Sequence, residues 1–205
     1  MTTTHPSTTR ARRGRPGYDR QTLVDLCVKV FNRHGYEATS MGMLADELGI
    51  SKSAIYHHVK TKEEILESAL NEALDGLEAA MDEAEQTDGS ARTKIEAVIA
   101  GAVRVLVEKQ SSVTLLLRLR GNSEVEAEAL VRRRSLTTRL ATLLGEAQDQ
   151  GSVRDTASPK ILARLLFGTI NSLVDWYAAD KSAGAEQTAA VLIDLIFNGI
   201  MKPSP

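Results

Sequence analysis

The sequence contains one cysteine, Cys27, in 205 residues. A lone thiol excludes an internal disulfide, a CxxC redox pair and a thiolate zinc site, and nothing else points to an oxidising compartment. Long hydrophobic runs are missing as well. The first 17 residues hold no apolar stretch, and the longest uncharged stretch of the apolar C-terminal region, Leu165 to Val174, is far too short to cross a bilayer. The expectation is a cytoplasmic protein with no membrane partner. No GxSxG, HExxH, P-loop or Rossmann glycine pattern occurs, and the adjacent His57 and His58 point to different faces of a helix, which is wrong for shared metal ligation. Neither an enzyme nor a metal or other cofactor is expected. Strand patterns and sequence repeats are absent too.

What is present is the composition of a globular chain, 42% hydrophobic and 25% charged, long enough to bury a core without disulfide or metal staples. The formal net charge of -2 conceals an asymmetry. Up to Lys62 the chain carries +5, and beyond it -7. A basic head on an acidic body suggests a polyanion partner for the head alone, with ordinary surface charge as the alternative.

Residues 1–17 are rich in Thr, Ser, Pro, Gly and Arg and cannot supply a core, so a flexible basic arm is expected. Within it, Arg13 and Arg15 flank a glycine in an extended, proline-fixed segment. That geometry suits a narrow A·T-rich minor groove, the alternative being a solvated tail.

From Asp19 onward the periodicity is helical. Leu23, Leu26, Cys27, Val30 and Phe31 share a face, and His34-Gly35 stops the first helix. Ser40 caps a second short helix ending at Gly49, and Ser51 caps a third that turns Ile55 and Val59 inward. Thr61 to Glu64 forms a capping box for a long fourth helix. A fifth runs from about Ala91 to Lys109, a short apolar one from Val113 to Arg120, and a seventh from the capping box at Ser123 to Gln150. Ser158-Pro159 opens a helix of about 159–180, and the last covers about 186–201. The fold class is therefore all-α, with about nine helices. The last two are apolar nearly all round, which predicts a homodimer interface; a central core within a monomer is the alternative.

Residues 39–59 read as two short helices joined by a tight turn, with Lys52, Ser53, Tyr56 and His57 facing outward. This is a helix-turn-helix whose second helix is sized for a major groove. Lys52 and Ser53 can reach base edges or phosphates, Tyr56 offers a hydroxyl one turn on, and His57 can donate to a phosphate. Lys62 lies at a helix N-terminus, where the dipole favours an anion.

The run from Phe31 to Ser40, then Leu44-Ala45, then Leu48 to Glu64, resembles the DNA-binding domain of the TetR/AcrR family of bacterial one-component regulators over residues 18–68. The resemblance implies an all-helical homodimer whose three N-terminal helices bind an operator half-site and whose larger helical domain binds a small molecule. It implies DNA contacts at Thr39, Ser40, Lys52, Ser53, Ala54, Tyr56, His57 and Lys62. The expected division is an arm (1–17), a helix-turn-helix domain (18–62) and an effector-binding and dimerisation domain (63–205). Gly42 departs from the family's better helix former at that position, at a cost of about 1 kcal/mol. The implied function is a ligand-responsive transcriptional repressor released from its operator by an effector. The alternatives are a dimeric helical binding protein acting without DNA, and a regulator of drug-efflux genes responding to lipophilic compounds.

For the effector, Arg118, Arg120 and Asn122 on or after the short apolar helix are candidates, able to hold an anion in an apolar pocket or else to lie at the surface. Asn171 and Asp175, one turn apart on the eighth helix, and Trp176 complete the candidate set. Phe167 to Tyr177 also looks like the C-terminal domains of actinobacterial TetR-type regulators responding to acyl-CoA or aryl-CoA thioesters. Such an effector needs cations for its phosphates, from Arg118, Arg120 or the triplet Arg132-Arg133-Arg134, which as a plain solvated triplet would bind nothing.

Overall fold

The computed structural model describes residues 18–177 and 184–200. The arm with Arg13 and Arg15 lies outside the described residues. Nine helices and no strand occur among the described residues: α1 (Arg20–His34), α2 (Met41–Leu48), α3 (Lys52–Tyr56), α4 (Lys62–Gln86), α5 (Ala91–Glu108), α6 (Gln110–Leu117), α7 (Glu124–Asp149), α8 (Pro159–Trp176) and α9 (Ala185–Asn198). The all-α expectation holds.

Local chemistry sets the helix starts. The side chains of Asp19, Ser40, Ser51, Thr61, Ser90 and Ser123 each accept the backbone N–H three residues on. Each such cap is worth about 1 kcal/mol. Gly49 ends α2 at φ 65°, ψ 34°, the left-handed conformation that a side chain would resist, and this tight turn sets α3 across α2. Leu23, Cys27 and Phe31 of α1, Leu44 and Leu48 of α2, Ile55 of α3 and Ile65 and Leu66 of α4 form one buried cluster. Burial pushes the Cys27 thiol up to about 11, so it is a core residue and no nucleophile at neutral pH.

Several boundaries differ from the sequence expectation, and α8 and α9 end at Trp176 and Asn198, short of about 180 and 201. α3 ends at Tyr56 and not at Val59, although Val59 is buried as expected. α6 starts three residues early, because nothing in the sequence separates it from α5 except a bend at Lys109, with φ -117° and ψ 34°. The Lys109 ammonium is tied to Glu72 of α4. α6 ends at Leu117, so Arg118 and Arg120 fall on the following loop rather than on the helix.

Helices α4 and α7 are joined by a ladder with a seven-residue repeat. Arg132 pairs with Asp75 and Glu78 at 2.6 Å each, and Arg139 pairs with Asp82 and Glu85 at 2.5 and 2.6 Å. Steps of seven in the same direction along both helices keep the partners in phase along a close parallel contact. Isolated surface pairs contribute little, but these guanidiniums are bidentate and networked, the arrangement in which such pairs do count. α8 and α9 bury few residues: Ala163, Ile170 and Leu173 on one, Thr188, Ala189 and Leu192 on the other.

Candidate functional site

One candidate surface is the outer face of α2 and α3. Ser40, Lys52, Ser53, Ala54, Tyr56 and His57 are all exposed, with Tyr56 51% accessible despite its apolar ring. Ile55 and Val59 anchor α3 from behind, at 0% and 1%. The hydroxyls of Ser51 and Ser53 lie 2.8 Å apart, and Ser51 also caps α3 through Ala54 N, so Ser53 is held at the start of the helix. Lys52 runs alongside Gly42, where an added Cβ would stand 3.1 Å from both its Cε and Nζ. The glycine that departs from the best helix former thus leaves a track for the lysine stem, a reason visible only once α2 and α3 are placed together.

Two expected contact residues face inward. Thr39 is 2% exposed, and its hydroxyl donates to Gly35 O at 2.7 Å. Lys62 donates its ammonium to Tyr36 O at 2.9 Å and sits 4.2 Å from the centre of the Tyr36 ring. Both secure the α1–α2 loop. The α4 N-terminus is moreover served by its own acid: Glu64 accepts from Lys60 N at 2.8 Å, reaching one residue beyond the cap, and pairs with Arg20 at 3.2 Å. These contacts hold the Glu64 carboxyl below its ordinary range.

A second site is a cavity of about 190 Å³ in the helical body, enclosed by α4, α5, α6, α7 and α8. Leu77, Leu106, Val113, Leu116, Leu136 and Phe167 make it apolar, while Thr137, Asn171, Arg133 and Arg164 bring polar groups to its edge. Arg133 donates to Leu116 O at 3.2 Å, linking α7 to the end of α6. Arg133, Thr137 and Arg164 also border an outer groove of about 500 Å³, with Arg134, Thr138 and Lys160. An apolar chamber therefore opens toward a groove lined by four cations and two hydroxyls.

Of the effector candidates, Asn171 and, from the arginine triplet, Arg133 line this cavity. Arg118, Arg120 and Asn122 border a separate groove against the end of α1, where Arg118 donates to Asn32 O. Asp175 and Trp176 are exposed, and Trp176 borders an apolar groove between α8 and α9. The helical wheel divides the arginine triplet: Arg132 faces α4, Arg133 the cavity and Arg134 the outer groove. Arg164 and Lys160, missed in the sequence, sit one turn apart on α8; their only sequence signal is that they are cations on a helix otherwise apolar.

The junction between the two sites is polar and tight. Asn32 of α1 donates to Ser111 O at 2.8 Å, and its own Oδ1 is buried without a hydrogen-bond partner among the described residues. Glu126 of α7, 4% exposed, accepts the backbone N–H groups of Arg120, Gly121 and Asn122 at 3.1, 2.7 and 3.0 Å on one oxygen. Burial, with Glu63, Glu37 and Glu126 nearby, pushes the Tyr36 phenol up to about 12.

Comparison with known proteins matches residues 23–69 to the model of bacterial regulatory proteins of the tetR family, and residues 88–200 to the tetracyclin repressor-like C-terminal domain. A crystal structure of a TetR transcriptional regulator family member from Streptomyces coelicolor A3 is 42% identical, with a TM-score of 0.81 over 88% of this chain and 91% of that one. The transcriptional repressor KstR2 of Mycolicibacterium smegmatis is 24% identical over 90% of this chain and 92% of its own length. The structure of AibR in complex with isovaleryl coenzyme A and operator DNA shares the fold at 20% identity, with a TM-score of 0.70 over 87% of this chain and 97% of that chain.

Proposed function

The chain belongs to the TetR family of bacterial transcriptional regulators, and from that premise we propose that it is a cytoplasmic homodimeric repressor that leaves its operator when a CoA thioester enters the α4–α8 cavity. A DNA-binding regulator, and no enzyme, is what the family membership establishes. The observation that carries the effector class is the pair Arg133 and Arg164, each of which borders both the apolar cavity and the basic outer groove. An acyl or aryl group enters the chamber, and the phosphates lie on Arg133, Arg134, Lys160 and Arg164, since polyanions are held by charge-assisted bonds. AibR, whose complex holds isovaleryl coenzyme A and operator DNA, supports the class. Uncharged or cationic drugs leave these four cations without a role.

On the DNA side, Lys52, Ser53, Ala54, Tyr56 and His57 enter the major groove, Ser40 meets the backbone, and Thr39 and Lys62 position the loop behind them. We assign 18–62 to this unit and 63–205 to effector binding and dimerisation, with Arg13 and Arg15 of the 1–17 arm reaching the adjacent minor groove. Replacing Lys52 by Ala is expected to weaken operator binding and to lower the salt dependence by about one counterion per protomer. Tyr56→Phe removes a hydroxyl and should cost about tenfold, near 1.4 kcal/mol. Mobility shifts at several salt concentrations check both, and unchanged affinity and slope in both variants would displace α3 from the groove.

Release follows a path through α6. Val113 and Leu116 of α6 line the cavity, while Ser111 and Arg118 at the two ends of the same helix hold Asn32 of α1. A ligand that draws Arg133 from Leu116 O frees the end of α6 and loosens its hold on α1. Coupling of this kind is worth about 1–3 kcal/mol. The first test is a thermal shift with CoA thioesters, free aromatic acids and cationic drugs. A thioester at about 100 times its dissociation constant adds about 2.7 kcal/mol, and the shift should fall sharply in Arg133→Ala and Arg164→Ala. A shift from cationic or uncharged compounds alone defeats the thioester reading.

A further inference from the structure

We infer that the cavity sets an upper limit on the acyl group, admitting a short acyl chain or a single aromatic ring of a CoA thioester and rejecting long-chain and fused-ring acyl groups. This rests on the thioester reading above and adds its selectivity. The chamber measures about 190 Å³. A dry apolar cavity of about 150 Å³ takes up benzene, so this one holds a single ring or a chain on the order of six to eight carbons.

The walls show why the limit is firm. Leu106, Val113, Leu116 and Leu136 are each at most 4% exposed and belong to the continuous core, so they cannot swing aside without opening that core. Leu77, from α4, closes the chamber on the side of the Arg132 and Arg139 ladder, which pins α4 to α7. Leu77, Leu117 and Phe167 are the partly buried apolar members of the lining. The polar edge of Thr137, Asn171, Arg133 and Arg164 lies on α7 and α8 alone, so the chamber has one wet side and an incoming chain meets apolar wall elsewhere. A thioester whose phosphates occupy the outer groove must fold its whole acyl part into this one chamber.

The experiment is calorimetric titration of the full-length protein with a homologous series of saturated acyl-CoA thioesters from acetyl to dodecanoyl, together with benzoyl-CoA and CoA alone. While room remains, each added methylene tightens binding about fourfold, the equivalent of about 0.8 kcal/mol. The expected result is a ladder that breaks near six to eight carbons and reverses by dodecanoyl, with benzoyl-CoA on the favourable side. Phe167→Ala should move the break to longer chains, and Leu117→Ala serves the same purpose if the first variant is poorly folded. Affinity that rises without a break to dodecanoyl in the unmodified protein overturns the size limit and leaves the thioester class standing. If no thioester binds but toluene stabilises the protein and dodecane does not, the chamber keeps its size and the thioester reading falls. If neither thioesters nor toluene bind, both are lost.

Discussion

Replacing Leu165 and Val191 together by glutamate is expected to give a folded monomer whose operator affinity is about 10²–10⁴-fold lower. Leu165 is 62% and Val191 63% exposed on helices of otherwise apolar character, and Ile161, Trp176 and Leu195 extend the same surface at 52%, 50% and 41%. Ile161, Leu165, Thr169, Ser172 and Trp176 recur at helical spacing down one side of α8. Val191 and Leu195 do so on α9. An apolar patch of this extent is unusual on a monomer and is what an isologous interface presents. In the homodimer proposed above, a second copy would complete a four-helix contact and cover the groove lined by Leu173, Trp176 and Leu192.

Because both side chains already face solvent in one protomer, the charges cost little folding energy, and the effect falls on association. Operator binding falls with it, because each dimer gains its second half-site at the effective concentration of a tethered partner, and a monomer pays for each half-site separately. Sedimentation velocity and mobility shifts on the same preparations check this. A variant that stays dimeric moves the interface elsewhere, and a monomer with full affinity removes the need for two half-sites.

The DNA-facing unit was legible because its determinants are local. Ser40, Ser51 and Thr61 cap their helices through neighbours three residues away, Gly49 makes the turn by its own φ, and the inward positions follow helical period. What was not legible there needed two elements side by side: Thr39 and Lys62 face inward because Gly35 O and Tyr36 O come to meet them. The cavity among α4–α8 was almost illegible for the same reason on a larger scale. Its lining comes from five helices, and the arginines Arg118 and Arg120 lie outside it, on the loop beyond the end of α6 at Leu117. The charge on Arg133 was visible in the sequence, but only the 100° step between neighbours on α7 separates it from Arg132, which belongs to the α4 ladder. The apolar last helices were read as facing a partner, and the structure leaves that face uncovered within one protomer.

The capping box at Ser123 leads to the second large effect. A capping-box glutamate ordinarily returns to the N–H of its own cap. Glu126 instead reaches further back and gathers the three N–H groups of Arg120, Gly121 and Asn122 on Oε2, while its own N–H bonds Ser123 Oγ at 3.2 Å. One buried carboxylate therefore shapes the whole loop that follows α6, the loop from which Arg118 holds Asn32 of α1.

Hydrogen bonds to a charged group contribute about 1.5–3 kcal/mol each, and the three share one acceptor, so their loss is not additive. Glu126→Ala is expected to destabilise by about 3 kcal/mol, lowering Tm by about 6–12 °C at this chain length. Glu126→Gln keeps an acceptor oxygen without the charge and should lose about half as much. Denaturant titration distinguishes this from a looser native state, since the midpoint should fall while the slope holds. The loop also joins the end of α6, whose Val113 and Leu116 line the cavity, to α1 through Arg118, so Glu126→Ala should bind operator yet respond weakly to effector. Stability loss with an intact effector response would confine the nest to a structural role, and no loss of stability would mean that water replaces the carboxylate at all three N–H groups.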